Sequence, residues 1–318
     1  MTLDEAVIDN FLDFFWCRLE SGLWRTIDCF SLQTSGALDL LKNSRKTLDL
    51  GCGDGCFWFL AGGGKFHPKF DFLFQATENL AEFYRGKDVF DDSLGKEIPI
   101  IKRSKVQFYR GFDIKSTLLS KADMLGVYRK LIQGDANNNE FVEAEIYDYI
   151  FSNIIYWLDD LPKIFAGIHK SLSDGGKFVF FMPVDRFLEC RPFGGELFLD
   201  SSYDDFVRAI DRGRFVSDIK NVLSEEEIRA MLGAAGLKVR HCSPHLTMST
   251  IKLWDVGMRP FFPLLSNMAK RINTHDYLEV KNTWLKDWGP LLKDLIVADR
   301  SNISGENCCF KLYICEKY

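Results

Sequence analysis

Within "KTLDLGCGDGCFWF", residues 46–59, Gly51, Gly53 and Gly55 alternate with other residues directly behind an apolar run, and Asp49 and Asp54 stand among them. A residue without Cβ lets backbone approach a bound molecule closely. A strand running into such a turn usually cradles a nucleotide-like cofactor. A dinucleotide would rest its pyrophosphate on the helix N-terminus behind the turn. Here the carboxylates of Asp49 and Asp54 would repel that diphosphate, and the spacing departs from G-x-G-x-x-G. A nicotinamide or flavin cofactor is therefore disfavoured. A sulfonium cofactor has no phosphate and carries a cationic amino group, which nearby acids tolerate or help. Taken alone, the glycines are also explained by a plain tight turn.

A nucleoside cofactor needs an acid at the end of the following strand to hold its ribose. Asp71 sits at the usual distance and Glu78 a little beyond. Asp71, however, lies in "KFHPKFDFLF", where proline interrupts the would-be strand, and Glu78 lies in "QATENLAEF", which reads as a short helix. Asp113, in "YRGFDIKSTLL", has strand before it and an amphipathic helix behind it, and it leads directly into the next strand. Asp113 is the expected ribose acid. Residues 63–104 then become an insertion at an edge where long irregular loops are often lids, the alternative being a surface excursion with no role.

The elements that must position these residues follow along the chain. Residues 5–20 carry a helical apolar pattern of Ile8, Phe11, Leu12, Phe15 and Leu19. Strands are expected at "KTLDLGC", "VQFYRGFD", "KLIQGD", "YDYIFSN", "KFVFFMP", "KVRHCSPH" and "CCFKLYICEKY". Helices fall between them, over 160–172 and over "SEEEIRAMLGAAGL", whose serine suits an N-cap and whose glutamates suit the helix dipole. "SDGG" at 173–176 reads as a turn, and 246–305 as mainly helical. Strands alternating with helices predict a doubly wound parallel sheet. Its ligands bind at the carboxyl ends of the strands.

The ordered series "LDLGCGDG", "GFDIKSTLLSKA", "IQGDA", "YDYIFSNIIYWLDD" and "LSDGGKFVFF" resembles the class I S-adenosylmethionine-dependent methyltransferases over about residues 46–245 and the final strand. "LWDVGMRPF" in the late helical region is similar to a bacterial subgroup of that superfamily. The resemblance implies an α/β, Rossmann-like doubly wound sheet of about seven strands with an antiparallel last strand, plus helical cap insertions. The implied division is a helical cap at 1–45, a core at 46–245, a helical cap insertion at 246–305, and a last core strand at 306–318. It implies S-adenosyl-L-methionine as cofactor. Asp49 would orient the loop and help receive the amino group, and Gly51, Cys52 and Gly53 would line the methionine moiety. Asp113 would accept both ribose hydroxyls, Ile114 would pack on the adenine, and Asp135 would accept from its amino group with Ala136 supplying backbone. Ser152 and Asn153 would end the fourth strand beside the methionine tail. Asp135 also suits a turn cap with Asn137, and Cys52 suits a small space-filler.

The amide- and adenine-methylating members of that superfamily carry Asn/Asp-Pro-Pro-aromatic after the fourth strand. "SNIIYW" stands there instead. That departure argues against an amide or exocyclic nitrogen and leaves oxygen, amine nitrogen, sulfur or carbon as the methylated atom. Tyr156 and Trp157 are candidates for the wall of the acceptor pocket, and equally for plain core aromatics. The insertion 246–305, with Trp254, Asp255, Arg259, Trp284 and Trp288, is expected to roof the site together with the N-terminal helix. Arg259 suits an acidic substrate group or a structural ion pair. His241 and His245 flank the end of the sixth strand and are weak candidates for a base, against the commoner satisfied structural histidine. Phe261, Phe262, Leu264 and Leu265 suit an aromatic or lipid-like acceptor as well as a core between lid and sheet.

Composition narrows the classes further. The 318 residues are 47% hydrophobic, enough for a large core, and the net charge of −5 gives no electrostatic footprint for nucleic acid. The N-terminal segment carries acids where a signal peptide carries base, and no apolar run reaches the roughly 18 residues of a membrane span. Nine scattered cysteines without a CxxC pair fit reduced core thiols rather than a metal site. A cytoplasmic small-molecule methyltransferase is the leading expectation. A non-catalytic S-adenosylmethionine- or S-adenosylhomocysteine-binding protein on the same fold is the alternative.

Overall fold

The computed structural model describes residues 5–75, 97–190, 220–258 and 261–318. Seven strands form one sheet: β1 (Thr47–Leu50), β4 (Phe108–Asp113), β5 (Tyr128–Gln133), β6 (Tyr147–Ser152), β7 (Leu172–Pro183), β8 (Leu237–Thr247) and β9 (Cys308–Lys317). Their spatial order is β5-β4-β1-β6-β7-β9-β8. From β5 to β7 neighbours run parallel, and β9 runs antiparallel between β7 and β8. A separate antiparallel ribbon joins β2 (Lys65–Phe66) to β3 (Ile100–Lys102). The chain thus leaves the sheet after β1 and returns at β4, so Asp113 ends the strand beside β1.

The central parallel strands β1, β6 and β7 are largely buried and rich in apolar residues, as strands covered on both faces are. Alternation along β1 sends Leu48 and Leu50 into a core with Phe112, Ile150 and Phe180. Thr47 and Asp49 take the opposite face, where Phe108, Tyr128, Tyr149 and Phe151 form a second core with α4 (Cys56–Ala61). The other covering helices are α6 (Ser116–Leu125), α7 (Leu161–Ser171) and α8 (Glu225–Ala234). Ser224 and Glu227 close a full capping box at the start of α8.

Further helices precede the sheet and fill its excursions. They are α1 (Glu5–Phe14), α2 (Leu19–Thr34) and α3 (Ala37–Asn43) before the sheet, and α5 (Phe72–Gln75) in the first excursion. Between β8 and β9 lie α9 (Met248–Lys252), a wide π-type turn at Leu253–Met258, α10 (Phe262–Ala269) and α11 (Tyr277–Asn302). The apolar pattern over 5–20 is therefore two helices, not one. The chain breaks at Phe15–Arg18, where the Trp16 indole donates to Asp71 at 2.9 Å. A tertiary contact overrides the local period. The "SDGG" turn is likewise part of β7: Tyr147 pairs with Leu172 and Tyr149 with Lys177, so 173–176 bulges out of the ladder.

Asp71 is fully buried. It accepts from Trp16, from Tyr277 Oη at 2.5 Å and from Lys281 Nζ at 3.2 Å. Lys281, also fully buried, donates to the Pro68 carbonyl at 3.0 Å and pairs with Asp13 at 3.3 Å. One buried cluster therefore ties α1, the excursion after α4, and α11 together. All nine cysteines are free thiols. Among the described residues, no helix is long and apolar enough to cross a membrane.

Candidate cofactor and acceptor site

The turn after β1 is held open by three left-handed glycines: φ is +85° at Gly51, +57° at Gly53 and +74° at Gly55. L residues with a Cβ rarely adopt such angles. The loop is anchored on the strand beside it, since Gly51 and Cys52 both donate to the Phe112 carbonyl at 2.8 and 3.0 Å. A Cβ at Gly51 would lie 2.6 Å from Ile154 carbons, whereas one at Gly53 would meet nothing within 4 Å. Gly51 is thus packed shut by Ile154, and Gly53 faces open space. Asp54 Oδ1 accepts from Cys56 N at 3.0 Å and starts α4.

Asp113 joins this loop directly. Its Oδ2 accepts from Gly53 N at 2.9 Å and its Oδ1 from Lys115 N at 3.0 Å. Burial raises its pKa above the ordinary carboxylate value, against the lowering effect of these two amides. Each oxygen keeps a lone pair for a further donor. The neighbouring Ile114 is 57% exposed, an apolar face beside an acid that suits a flat aromatic ring. Asp135 Oδ1 accepts from Asn137 N at 2.8 Å, so its carboxylate caps the turn at 136–138, and Ala136 is buried beneath it. Gly134 N donates to the Asp113 carbonyl at 3.1 Å and brings this turn beside Asp113.

At the end of β6 the buried Ser152 hydroxyl donates to the Leu50 carbonyl at 2.8 Å, locking β6 to β1, and Asn153 follows half-buried. Asp49 is buried behind the loop, and burial carries its pKa up to about 7. Cys52 is a buried thiol pushed far above the ordinary thiol range, so it packs and does not react. Asp49, Gly51, Cys52, Gly53, Asp113, Ile114, Asp135, Ala136, Ser152 and Asn153 lie at or just past the ends of β1, β4, β5 and β6, with Asp49, Cys52, Ala136 and Ser152 buried.

The acceptor candidates divide. Tyr156 is buried edge-on to Phe310, with centroids 5.8 Å apart. Phe310 meets Trp24 of α2 at 5.3 Å, and Trp24 meets Trp254 at 5.0 Å. Tyr156 and Trp254 therefore belong to one aromatic wall that also contains Trp24, which sequence reading missed. Trp157 is 40% exposed and meets this wall through Tyr156, at 5.2 Å. Arg259 lies outside the described residues, as do Glu78 and the side chain of Asp255. Trp284 and Trp288 stack on each other at 5.4 Å on α11, and Trp284 also meets Trp16. Asp71 serves the buried cluster described above.

The two histidines of β8 sit in different surroundings. His241 is exposed in the middle of β8, four strands from β1, or about 19 Å at strand spacing. His245 is fully buried and stacks on Phe181 at 4.1 Å. Its Nε2 meets Asp28 Oδ1 and its Nδ1 meets Ser31 Oγ, both at 2.8 Å. Arg300 donates to Ser31 Oγ at 3.0 Å, and Arg25 to Asp28 Oδ2 at 3.1 Å. A neutral histidine protonated on Nε2 satisfies the whole chain: Arg300 to Ser31, Ser31 to His245, His245 to Asp28. Burial lowers its pKa despite Asp28. No ring nitrogen is left for an acceptor.

A mostly parallel seven-stranded sheet with an antiparallel last strand, this loop and a carboxylate ending the adjacent strand define a class I methyltransferase fold. The chain belongs to the methyltransferase-domain family, whose model matches residues 30–242. S-adenosyl-L-methionine is the cofactor of this class. A 47-residue stretch is 45% identical to the malonyl-[acyl-carrier protein] O-methyltransferase of Xylella fastidiosa (strain M23), covering 14% of this chain and 16% of that protein. The chain thus matches about a sixth of that relative's length. A solved S-adenosylmethionine-dependent methyltransferase of Mesorhizobium loti is 14% identical, with TM-score 0.43 over 86% of this chain and 90% of that one. A phosphoethanolamine N-methyltransferase 2 of Haemonchus contortus, solved with phosphomonomethylethanolamine and S-adenosylhomocysteine, is 16% identical, with TM-score 0.42 over 98% of this chain and 60% of that one.

Proposed function

We propose that the chain methylates a small, largely apolar molecule seated between the glycine loop and the aromatic wall of Trp24, Tyr156, Trp254 and Phe310. The observation that supports this most is the direct bond from Gly53 N to Asp113, which couples the open loop to the acid expected to hold the ribose. When bound, S-adenosylmethionine supplies a methyl group on a sulfonium, and transfer is an in-line displacement. The protein's part is alignment and exclusion of water. Asp113 and Asp49 would hold the nucleoside and amino ends, and Gly53 would let the backbone lie against the tail. The buried aromatic wall would keep the reacting face dry, which favours a step in which charge falls. Neither His241 nor His245 is placed to take a proton, so an acceptor that is nucleophilic without a histidine base fits best.

S-adenosylhomocysteine should raise the melting temperature by mass action on the folded state, and nicotinamide cofactors should not. No shift at millimolar ligand would remove the basis of this reading. Transfer of a radiolabelled methyl group to small molecules of a cell extract then separates an enzyme from a binding protein without turnover.

A further inference from the structure

Tyr128, the first residue of β5, reaches across β4 to Asp49. Its hydroxyl donates to Asp49 Oδ2 at 2.7 Å, and both groups are buried. The ring crosses two glycines on the way. A Cβ at Gly111 would lie 2.8 Å from Tyr128 Cδ1, 2.9 Å from Leu131 Cδ2 and 3.0 Å from the Cys52 sulfur. One at Gly55 would lie 3.0 Å from Tyr128 Cε2. Gly111 sits inside a strand, where glycine marks a close approach. The approach here is that of the tyrosine passing beneath the cofactor loop.

We propose that Tyr128 is a positioning residue for cofactor binding: its hydroxyl fixes the Asp49 carboxylate that receives the cofactor's ammonium group. The proposal rests on the S-adenosylmethionine reading above. Every element packed round Asp49 contributes a group to its surroundings. They are Tyr128 from β5, Tyr149 from β6, Asp113 from the end of β4, Cys52 and Asp54 from the loop, Trp58 from α4 and Arg25 from α2. The Tyr149 hydroxyl and the Trp58 indole N–H are buried without a partner inside hydrogen-bond geometry, although the Trp58 N–H still lowers the Asp49 pKa. Burial dominates and raises the carboxyl; the Tyr128 bond opposes it, Asp113 adds to it and Arg25 subtracts. Tyr128 keeps its own proton, because burial and Asp49 push its hydroxyl well above the ordinary range.

An ammonium beside Asp49 favours the ionised form, so binding and loss of the Asp49 proton are coupled. Calorimetry with S-adenosylhomocysteine from pH 5.5 to 8.5 reads this coupling. Wild-type affinity should tighten about tenfold between pH 6 and 8, centred near 7. Tyr128→Phe keeps the ring and removes the donor. Its midpoint should move up by about one pH unit, with roughly fivefold weaker binding at pH 7. A Tyr128→Phe protein that melts lower but keeps the wild-type midpoint would show a packing role only and overturn the proposal. Should the variant not fold, a carbon-13 carboxyl titration of wild-type protein decides instead. Asp49 is expected to titrate near 7 alone and below that with ligand; a carboxyl indifferent to ligand overturns the proposal. Wild-type protein that binds no S-adenosylhomocysteine at any pH removes the cofactor reading, and this proposal with it.

Discussion

Two groups of buried polar residues meet at the carboxyl ends of the strands, and they are built on opposite terms. In the cap, Asp71 has three side-chain donors, Lys281 has three acceptors, and the Arg300–Ser31–His245–Asp28 chain closes on itself. Asp299 alone takes Thr247 N and Oγ1, Thr250 Oγ1 and Arg300. Round the cofactor loop, Asp49 has one geometric donor, Trp58 and Tyr149 have none, and Gly53 faces open space. A buried polar group left short of partners costs folding free energy. The cap spends its polar groups on holding three distant segments together. On the proposed reading the loop side would keep them in reserve for a ligand. The contrast holds for these two groups and not for every buried polar atom, since the Trp284 indole N–H of the cap is also buried without a hydrogen-bond partner.

Substitutions on both sides sharpen or break that contrast. The largest effect belongs to Lys281→Met, which strands a buried Asp71 and should cost about 3–5 kcal/mol in chemical denaturation. Adding Asp71→Asn should recover part of this loss, because the pair is coupled; a neutral Lys281→Met would break the contrast from the cap side. Next, Asp113→Ala should weaken S-adenosylhomocysteine by about 30- to 150-fold in calorimetry, about 2–3 kcal/mol. Asp71→Ala should unfold the cap more readily without a comparable direct loss at the loop.

Asp49→Asn tests the reserve itself. The folded pKa of about 7 lies above the ordinary 3.8, so the native state holds an extra proton between them. Unfolding free energy therefore falls as pH rises from about 4 to 7, and is flat beyond. Asp49→Asn should remove that slope and stabilise ligand-free protein at pH 8 by about 2 kcal/mol, while weakening ligand binding. The smallest effect belongs to His245. Its folded pKa lies below 6.5, so the native state binds fewer protons, and stability is full above 6.5 and lost as pH falls below it. His245→Gln should flatten this acid limb by about 1 kcal/mol in thermal scans from pH 7 to 5.

Much of the frame was legible in the sequence. Apolar runs such as "LDL" and "KFVFF" read as buried strands because both faces of the parallel sheet are covered. Asp113 was placed by the order strand, acid, helix, which the ladder from β1 to β4 now displays. The break at Phe15–Arg18 was not legible, since the residue responsible, Asp71, lies 55 positions from Trp16. The same holds for Trp24 with Trp254, and for Asp28 with His245, 217 positions away. Periodicity reports which face is buried, not which distant partner buries it. Gly111 carried an unused hint. A glycine inside "YRGFD" asks what comes close, and the answer is Tyr128.

The pairing of β8 with β9 has a further consequence for how such a chain can change. Thr247 pairs with Cys308, and Met248 N donates to the Asn307 carbonyl at 2.8 Å. The helical cap of 248–307 therefore leaves and re-enters the sheet at neighbouring points, as the loop of a single β-hairpin. Lengthening a loop from about 4 to about 60 residues adds only about 2–3 kcal/mol of closure entropy, at roughly 0.6 kcal/mol per doubling. Helices packed on α1 and α2 can supply that much. The cap is in this sense a replaceable cartridge. On the function proposed above, an exchange of 248–307 would alter the acceptor side while leaving β1, β4 and the glycine loop in register, so acceptor choice would evolve by loop substitution without renegotiating the cofactor.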